Sequence, residues 1–300
     1  IGFAGGAGPG KGRDWFGPYP KIKDLDGPED EYITDRLTTE AVAFIEEHQD
    51  QPFFMKIQHY APHATIVATD DIVQRYVDQG RPNEKGRHNA TYLARSESVD
   101  AGFGRLMTAI DDAGLRDRTI VVFFSDNGAV SWHGRNAPFR GEKKSFYEGG
   151  IRVPLLMRVP GVTEAGTVSD TPVNGIDFFP TLVELTGGDP AGRPGIRDGV
   201  SFVSALHSQD TLERAPMFWH HPALSRHYAD IPPQGAVREG PWKLIDFYGD
   251  LKPDELYNLD EDPSEETNLA GQYPERVEAM RMLLEAHLDA VDAQRVEHLD

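Results

Sequence analysis

Apolar positions along the chain first fall into register at residues 34–48, where Leu37, Ala41, Phe44 and Ile45 share one helical face behind a cap from Thr34 or Asp35. Residues 1–30, rich in Gly, Pro and Asp, predict irregular loop. Pro52 introduces Phe53–Ile57, a short apolar run that predicts a buried strand ending in the polar stretch Gln58–His63. A loop punctuated by Gly80, Pro82 and Gly86 follows. From Asn89 to Ala113 the residues Tyr92, Val99, Phe103, Leu106 and Ile110 repeat at helical spacing, and Gly114 supplies a stop. Thr119–Phe124 is continuously apolar and β-branched or aromatic, which predicts a strand buried on both faces. Leu155–Met157 predicts another strand, and Ile176–Thr186 a short helix with Pro180 in its first turn. Alternation of strands and helices predicts an α/β class with a largely parallel or mixed central sheet.

Beyond residue 209 the pattern changes. Met217–Trp219, Gly235–Arg238, Trp242–Ile245 and Glu255–Tyr257 are short strand candidates separated by turns at Glu239–Pro241 and Asp260–Pro263. A last helix, Pro274–Val291, carries Val277, Met280, Leu284, Leu288 and Val291 on one stripe. The expected organisation is a core domain over residues 1–208 and a small antiparallel α+β subdomain over 209–300.

The charge of −19 argues against nucleic acid or an anionic membrane as partner. No apolar run approaches the roughly 20 residues that span a bilayer, so a soluble chain is expected. Cysteine is absent, which removes disulfides, thiolate metal sites and a cysteine nucleophile from these residues. Locally the charge reverses: between His133 and Arg158 stand Arg135, Arg140, Lys143, Lys144, Arg152 and Arg158 against Glu142 and Glu148. Such an island can focus an anion, or can be a solvated basic loop.

The run Ser125-Asp126-Asn127-Gly128 closes the Thr119–Phe124 strand. Ligand sites in open α/β sheets lie beyond the carboxyl ends of strands. Asp126 and Asn127 offer oxygens that hard divalent cations prefer. Asn-Gly equally suits a hairpin turn. Downstream come Arg140-Gly141-Glu142-Lys143-Lys144 and Tyr147-Glu148-Gly149-Gly150-Ile151-Arg152-Val153-Pro154, where the paired glycines fit either a close backbone approach or a simple turn.

These motifs, with Ala137-Pro138-Phe139 before Arg140, Pro52-Phe53-Phe54 through Ala61-Pro62-His63, Ile176–Leu182, and Trp242–Ile245 with Glu255–Leu259 and Asp262-Pro263, resemble the type I sulfatases, in particular the arylsulfatase A and N-acetylgalactosamine-6-sulfatase group. The similarity runs from about Tyr32 to about Val291. It implies an alkaline phosphatase-like fold and hydrolysis of sulfate esters, with sulfated carbohydrate as the expected substrate class. It also implies a secreted, periplasmic or lysosomal setting. By the same resemblance Asp126 and Asn127 are ligands of a calcium ion, Lys143 grips a sulfate oxygen, and His63 binds sulfate and protonates the departing alcohol. A cation and a lysine would stabilise charge on the sulfuryl oxygens, and a placed imidazole can supply the leaving-group proton.

The family's nucleophile is a formylglycine made within a Cys/Ser-x-Pro-x-Arg segment, and this sequence contains no Cys and no Ser-x-Pro-x-Arg. The paired aspartates that complete the metal site, and a second Lys and His, are likewise not found. The expectation is therefore a chain corresponding to the C-terminal two thirds of a sulfatase, inactive by itself and poorly soluble because central strands would be missing. His133, Arg140 and His220 are further substrate-contact candidates; Arg140 could instead pair with Glu142 or Glu148, and His220 could be an exposed strand-end imidazole. Two other functions stay open: a phosphoester or phosphonate hydrolase of the same superfamily, and a non-catalytic protein that binds anionic glycans through the Lys143 and Arg152 region.

Overall fold

A computed structural model describes residues 12–22, 24–63, 65–83, 89–191, 198–207, 212, 214–222, 231–250 and 252–296. It divides into two compact units, residues 1–119 with 131–135, and residues 120–130 with 136–300. Residues 1–11 of the expected N-terminal loop, Gly86 of the second loop and the 208/209 domain boundary lie outside the described residues.

The first unit is helical. Helix α1 spans Ile33–Glu47 and buries Ile33, Thr34, Thr38, Ala41 and Ile45. Its N-cap is Tyr32, with no side-chain cap bond, so Thr34 and Asp35 lie inside the first turn. Helix α2, Asp70–Asp78, occupies a stretch expected to be loop; none of its residues is fully buried, but Ile72, Val73, Tyr76 and Val77 recur at helical spacing and form a half-buried apolar face. The acidic pair Asp70-Asp71 in its first turn, favourable to the helix dipole, is a second signal for it. Helix α3, Ala90–Asp112, begins where the period begins: the Asn89 side chain accepts from the Tyr92 N–H at 2.8 Å. Trp15, Tyr19, Ile22, Leu25, Tyr32 and Ile33 form an aromatic-rich cluster near its start. Phe53–Ile57 forms no strand ladder among the described residues.

The second unit opens with β1, Val121–Phe124, followed by a single helical turn α4, Glu148–Ile151, and β2, Leu155–Arg158. Both strands stand where the apolar runs put them, but they pair antiparallel, Val121 opposite Arg158 and Phe124 opposite Leu155. The connection through residues 125–154 returns the chain alongside β1 without a helix long enough for a parallel crossover. Phe124 and Leu156 are exposed, so the pair is not covered on both faces. Helices and strands mix as the α/β expectation has it, and every ladder among the described residues is antiparallel where a largely parallel or mixed central sheet is expected. Helix α5, Phe178–Leu185, follows a turn at Gly175–Asp177 and holds Pro180 near its start, where a missing N–H costs nothing. A short turn of helix, α6, occupies Val203–Leu206.

Four antiparallel strands complete the unit: β3 (Met217–His221), β4 (Gln234–Glu239), β5 (Trp242–Phe247) and β6 (Glu255–Asn258), in that spatial order. Helix α7, Pro274–Ala290, covers one face of them. Strand alternation sorts the core into two layers. Val237, Leu244 and Leu256 pack on Val277, Met280, Leu284 and Leu288 of α7. Ala236, Ile245, Phe247 and Tyr257 on the other face pack on Phe146 and Tyr147, with Ile151 beside them. Val291, expected on the buried stripe, lies past the helix end and is half exposed.

A buried ionic triad joins the α4 turn to this sheet. Lys243 Nζ lies 2.8 Å from Glu148 Oε1 and 2.7 Å from Glu265 Oε1, and all three side chains are buried. Glu265 Oε2 also accepts the Glu148 N–H at 2.6 Å. Burial pushes the Glu265 carboxyl up, and the Lys243 ammonium opposes that rise. Removing one member of such a group leaves unpaired charge in the interior. Lys243→Ala is expected to destabilise the chain by about 3–5 kcal/mol in denaturant unfolding; a loss below about 1 kcal/mol, the surface-pair range, would show that the triad does not tie the turn to the sheet.

Candidate active site

The strand tip 125–129 and the segment 136–150 are knitted together through backbone. The Gly128 N–H donates to Gly150 O at 3.0 Å and the Lys143 N–H to Ala129 O at 3.2 Å. Asn136 bridges them: its Oδ1 accepts the Ala129 N–H at 2.8 Å, and its Nδ2 donates to Ala129 O at 2.9 Å and Gly141 O at 3.1 Å. The Gly149 N–H donates to Arg140 O at 2.7 Å, and Ser145 Oγ donates to Glu142 O at 2.8 Å.

This packing explains the glycines. A Cβ on Gly128 would stand 1.9 Å from Gly149 O, one on Gly149 2.4 Å from Arg140 O, and one on Gly150 2.1 Å from Ser145 O. None of the three has a positive φ, so they serve space and not a left-handed turn. Asn127-Gly128 is therefore no hairpin: the partner of β1 is β2, beyond residue 154.

Asp126 and Asn127 sit immediately past β1, with Asn127 Nδ2 donating to Asp126 Oδ1 at 3.0 Å. Among the described residues, Asp126 Oδ2 and Asn127 Oδ1 accept no hydrogen bond. They are a carboxylate and an amide oxygen, the donor type of calcium, and two of the 6–8 oxygens it takes. Among the described residues no group of three or more His, Cys, Asp or Glu gathers as a metal cage. The pair fits part of a calcium site.

Lys143 is clamped by its backbone to this tip, and its ammonium enters no ion pair among the described residues. Lys144 adopts φ +79°, a left-handed bend that turns the chain away directly after it. Its charge, after burial, helps depress the His221 imidazole on β3.

Arg140 faces the sheet. Its Nη1 donates to Tyr257 OH at 2.9 Å and Glu265 O at 3.0 Å, lies 3.4 Å from Glu255 Oε2, and its guanidinium covers the Tyr147 ring at 4.1 Å. Its acidic partner is thus Glu255 and neither Glu142 nor Glu148, and the guanidinium ties the segment to β6. Glu255 also accepts from Tyr147 OH at 2.7 Å and from Tyr257 OH, while Lys252 lies 2.5 Å from its Oε1. Burial raises the Glu255 carboxyl, and Lys252 with the two hydroxyls outweighs it, so the group is held below its ordinary range. Arg152 stacks over Phe139 at 4.6 Å and lies 3.7 Å from Glu148 Oε2. Within the basic island Arg140 and Arg152 are thus engaged with carboxylates, while among the described residues Lys143 and Arg135 enter no ion pair.

His220 does not suit a substrate contact. Its Nδ1 meets Tyr248 OH at 2.7 Å and its Nε2 meets Gln294 O at 2.7 Å, so both ring nitrogens are engaged. His63 and His133 belong to the first unit. His63 is exposed just after the turn at Ala61-Pro62, with its N–H donating to Tyr60 O at 2.9 Å. His133 lies parallel to the Tyr92 ring at 6.0 Å, and burial, then Arg95, pushes its imidazole down. Asn136, which holds the tip in place, had no signal in the sequence: an amide in a loop carries no period and no charge.

A family model described as Sulfatase matches residues 8–188, and one described as N-sulphoglucosamine sulphohydrolase, C-terminal, matches residues 140–294. A sulfatase of Formosa agariphila is 34% identical over 265 residues, covering 81% of this chain and 47% of its own length. An N-acetylgalactosamine-6-O-sulfatase of Bacteroides thetaiotaomicron is 28% identical over 278 residues, covering 86% and 51%. The crystal structure of Ps i-CgsB in complex with k-i-k-neocarrahexaose superposes with a TM-score of 0.76 at 27% identity, covering 92% of this chain and 58% of that one. The chain thus spans about half the length of the curated relatives it matches.

The interlock predicts a steep position dependence. Gly150→Ala is expected to cost about 3 kcal/mol, the upper end for overpacking, because the obstructing atoms are backbone. Gly104→Ala, on α3 with nothing within 4 Å of the new Cβ, is expected to be neutral or to gain about 0.5–1 kcal/mol. Equal responses in thermal unfolding would contradict the interlock.

Proposed function

Because this chain belongs to the sulfatase family, we propose that it carries the metal-ligand and ester-gripping part of a sulfuric ester hydrolase acting on sulfated carbohydrate. The observation that carries this reading is the backbone clamp between Asp126-Asn127-Gly128 and Lys143, which leaves the Lys143 ammonium unpaired while Arg140 and Arg152 are engaged. In this reading Asp126 and Asn127 hold calcium with two side-chain oxygens. A bound calcium ion supplies positive charge to the sulfuryl oxygens. Lys143 binds one of those oxygens and stabilises the charge that grows there as the S–O bond breaks. His63 delivers a proton to the departing alcohol oxygen. The nucleophile is a formylglycine, whose Cys/Ser-x-Pro-x-Arg segment is not within these 300 residues.

Sulfated carbohydrate is favoured as substrate class by the relatives, one named an N-acetylgalactosamine-6-O-sulfatase and another crystallised with k-i-k-neocarrahexaose. A secreted, periplasmic or lysosomal setting belongs to the same proposal. Among the described residues no helix is long and apolar enough to cross a membrane.

The 300-residue chain alone is expected to show no sulfate-ester turnover. In a protein that joins it to a formylglycine-bearing segment, Lys143→Ala and His63→Ala should each lower kcat/KM for N-acetylgalactosamine 6-sulfate about 10²- to 10⁴-fold. His220→Ala should leave kcat/KM unchanged. Full turnover in either of the first two variants would contradict the assignment of that residue.

A further inference from the structure

Arg95, on α3, is a buried cation with no carboxylate beside it. Its side chain is fully buried, and its guanidinium lies over the Trp15 ring at 4.4 Å. The Nη1 atom donates to Thr65 O. The Nε and Nη2 atoms, buried as well, have no hydrogen-bond partner. These two N–H groups form one side of the guanidinium fork, the edge that matches two oxygens of an oxyanion.

The ionisable groups that act on Arg95 are Tyr32 and Tyr92, and Arg95 in turn depresses His133. Tyr32 spends its hydroxyl on Val67 O at 3.0 Å. His133 Nδ1 is a further buried nitrogen without a hydrogen-bond partner. Among the described residues Arg95 makes no ion pair. Buried charges in native proteins are paired or hydrogen-bonded. A cation–π contact of the kind Trp15 offers is weaker than the cost of desolvating a guanidinium. Arg95 thus presents an intact, dehydrated fork in an aromatic setting.

We propose that the Nε/Nη2 edge of Arg95 is a bidentate binding site for an oxyanion of the sulfate class, with His133 beside it. This site is independent of Asp126, Asn127 and Lys143 and does not rest on the ester chemistry assigned to them. The oxyanion could be free sulfate or a sulfate group borne on a sugar; both present the same pair of oxygens.

The test is thermal unfolding of the 300-residue chain, titrated with sodium sulfate against sodium chloride at matched ionic strength, for the wild type, Arg95→Met and Lys143→Ala. Ligand that binds only the folded state raises Tm in a saturable way. The expected result is a sulfate-specific rise in the wild type and in Lys143→Ala, and none in Arg95→Met. Without sulfate, Arg95→Met should melt at or above the wild type, since an apolar side chain replaces an unpaired buried charge. If Arg95→Met does not fold, Arg95→Gln is read in the same way. Absence of a sulfate-specific rise in the wild type, or an equal rise in the Arg95 variant, overturns the inference. A rise lost in Lys143→Ala and kept in Arg95→Met also overturns it, while leaving the proposed function standing. Glucose 6-sulfate identifies the source: a larger shift than inorganic sulfate at equal concentration indicates the sugar-borne group, and an equal or smaller one the free ion, and either supports the site.

Discussion

Backbone atoms of two chain segments approach so closely around Gly128, Gly149 and Gly150 that no side chain fits between them. The placement of Asp126, Asn127 and Lys143 follows from that contact. It holds the end of β1 against the Lys143 segment, with Asn136 satisfying the amide and carbonyl of Ala129 that the approach would otherwise strand. The contact is made by hydrogen-bonded main chain, whose geometry is fixed by few torsions. A carboxylate, an amide oxygen and an ammonium are thus carried on one stiff frame. Pre-organisation of this kind is what electrostatic stabilisation of a sulfuryl group needs.

The frame is itself supported from behind. Phe146 and Tyr147 pack on one face of the four-stranded sheet while α7 covers the other. Arg140, Glu255 and the Lys243 triad add polar anchors between the same layers. Each acidic anchor is buried, so each is valuable only with its partner in place. The small antiparallel subdomain therefore acts as a backing plate for the Arg140–Gly150 segment. This division of labour, with a stiff scaffold and a presented loop, is common for chemical sites.

Much of this was legible in the sequence because it is periodic. Helices α1, α3, α5 and α7, and the strands from β3 to β6, follow apolar patterns that burial enforces. The family was legible as well, through Ser125–Gly128, Arg140–Lys143 and Tyr147–Pro154 in order. What stayed hidden depends on partners far along the chain. The pairing direction of β1 and β2 cannot be read from either run, since both directions bury the same residues. Arg140 reads as part of a basic island because Glu255 and Glu265, which engage it, lie on another element. His220 reads as an exposed imidazole until Tyr248 and Gln294 are seen on either side of it. Arg95 shows the reverse case: a helical arginine suggests a solvated charge, whereas the fold encloses it.

The most direct measurement of the central claim is a crystal structure of the protein carrying this segment, grown with calcium and sulfate and recorded at a wavelength where calcium scatters anomalously. An anomalous peak with side-chain oxygens of Asp126 and Asn127 at about 2.3–2.6 Å is expected. Lys143 Nζ is expected within hydrogen-bond reach of a sulfate oxygen beside that ion. Calcium bound elsewhere, with the 126–127 tip empty and the Lys143 ammonium directed to bulk water, would contradict the claim.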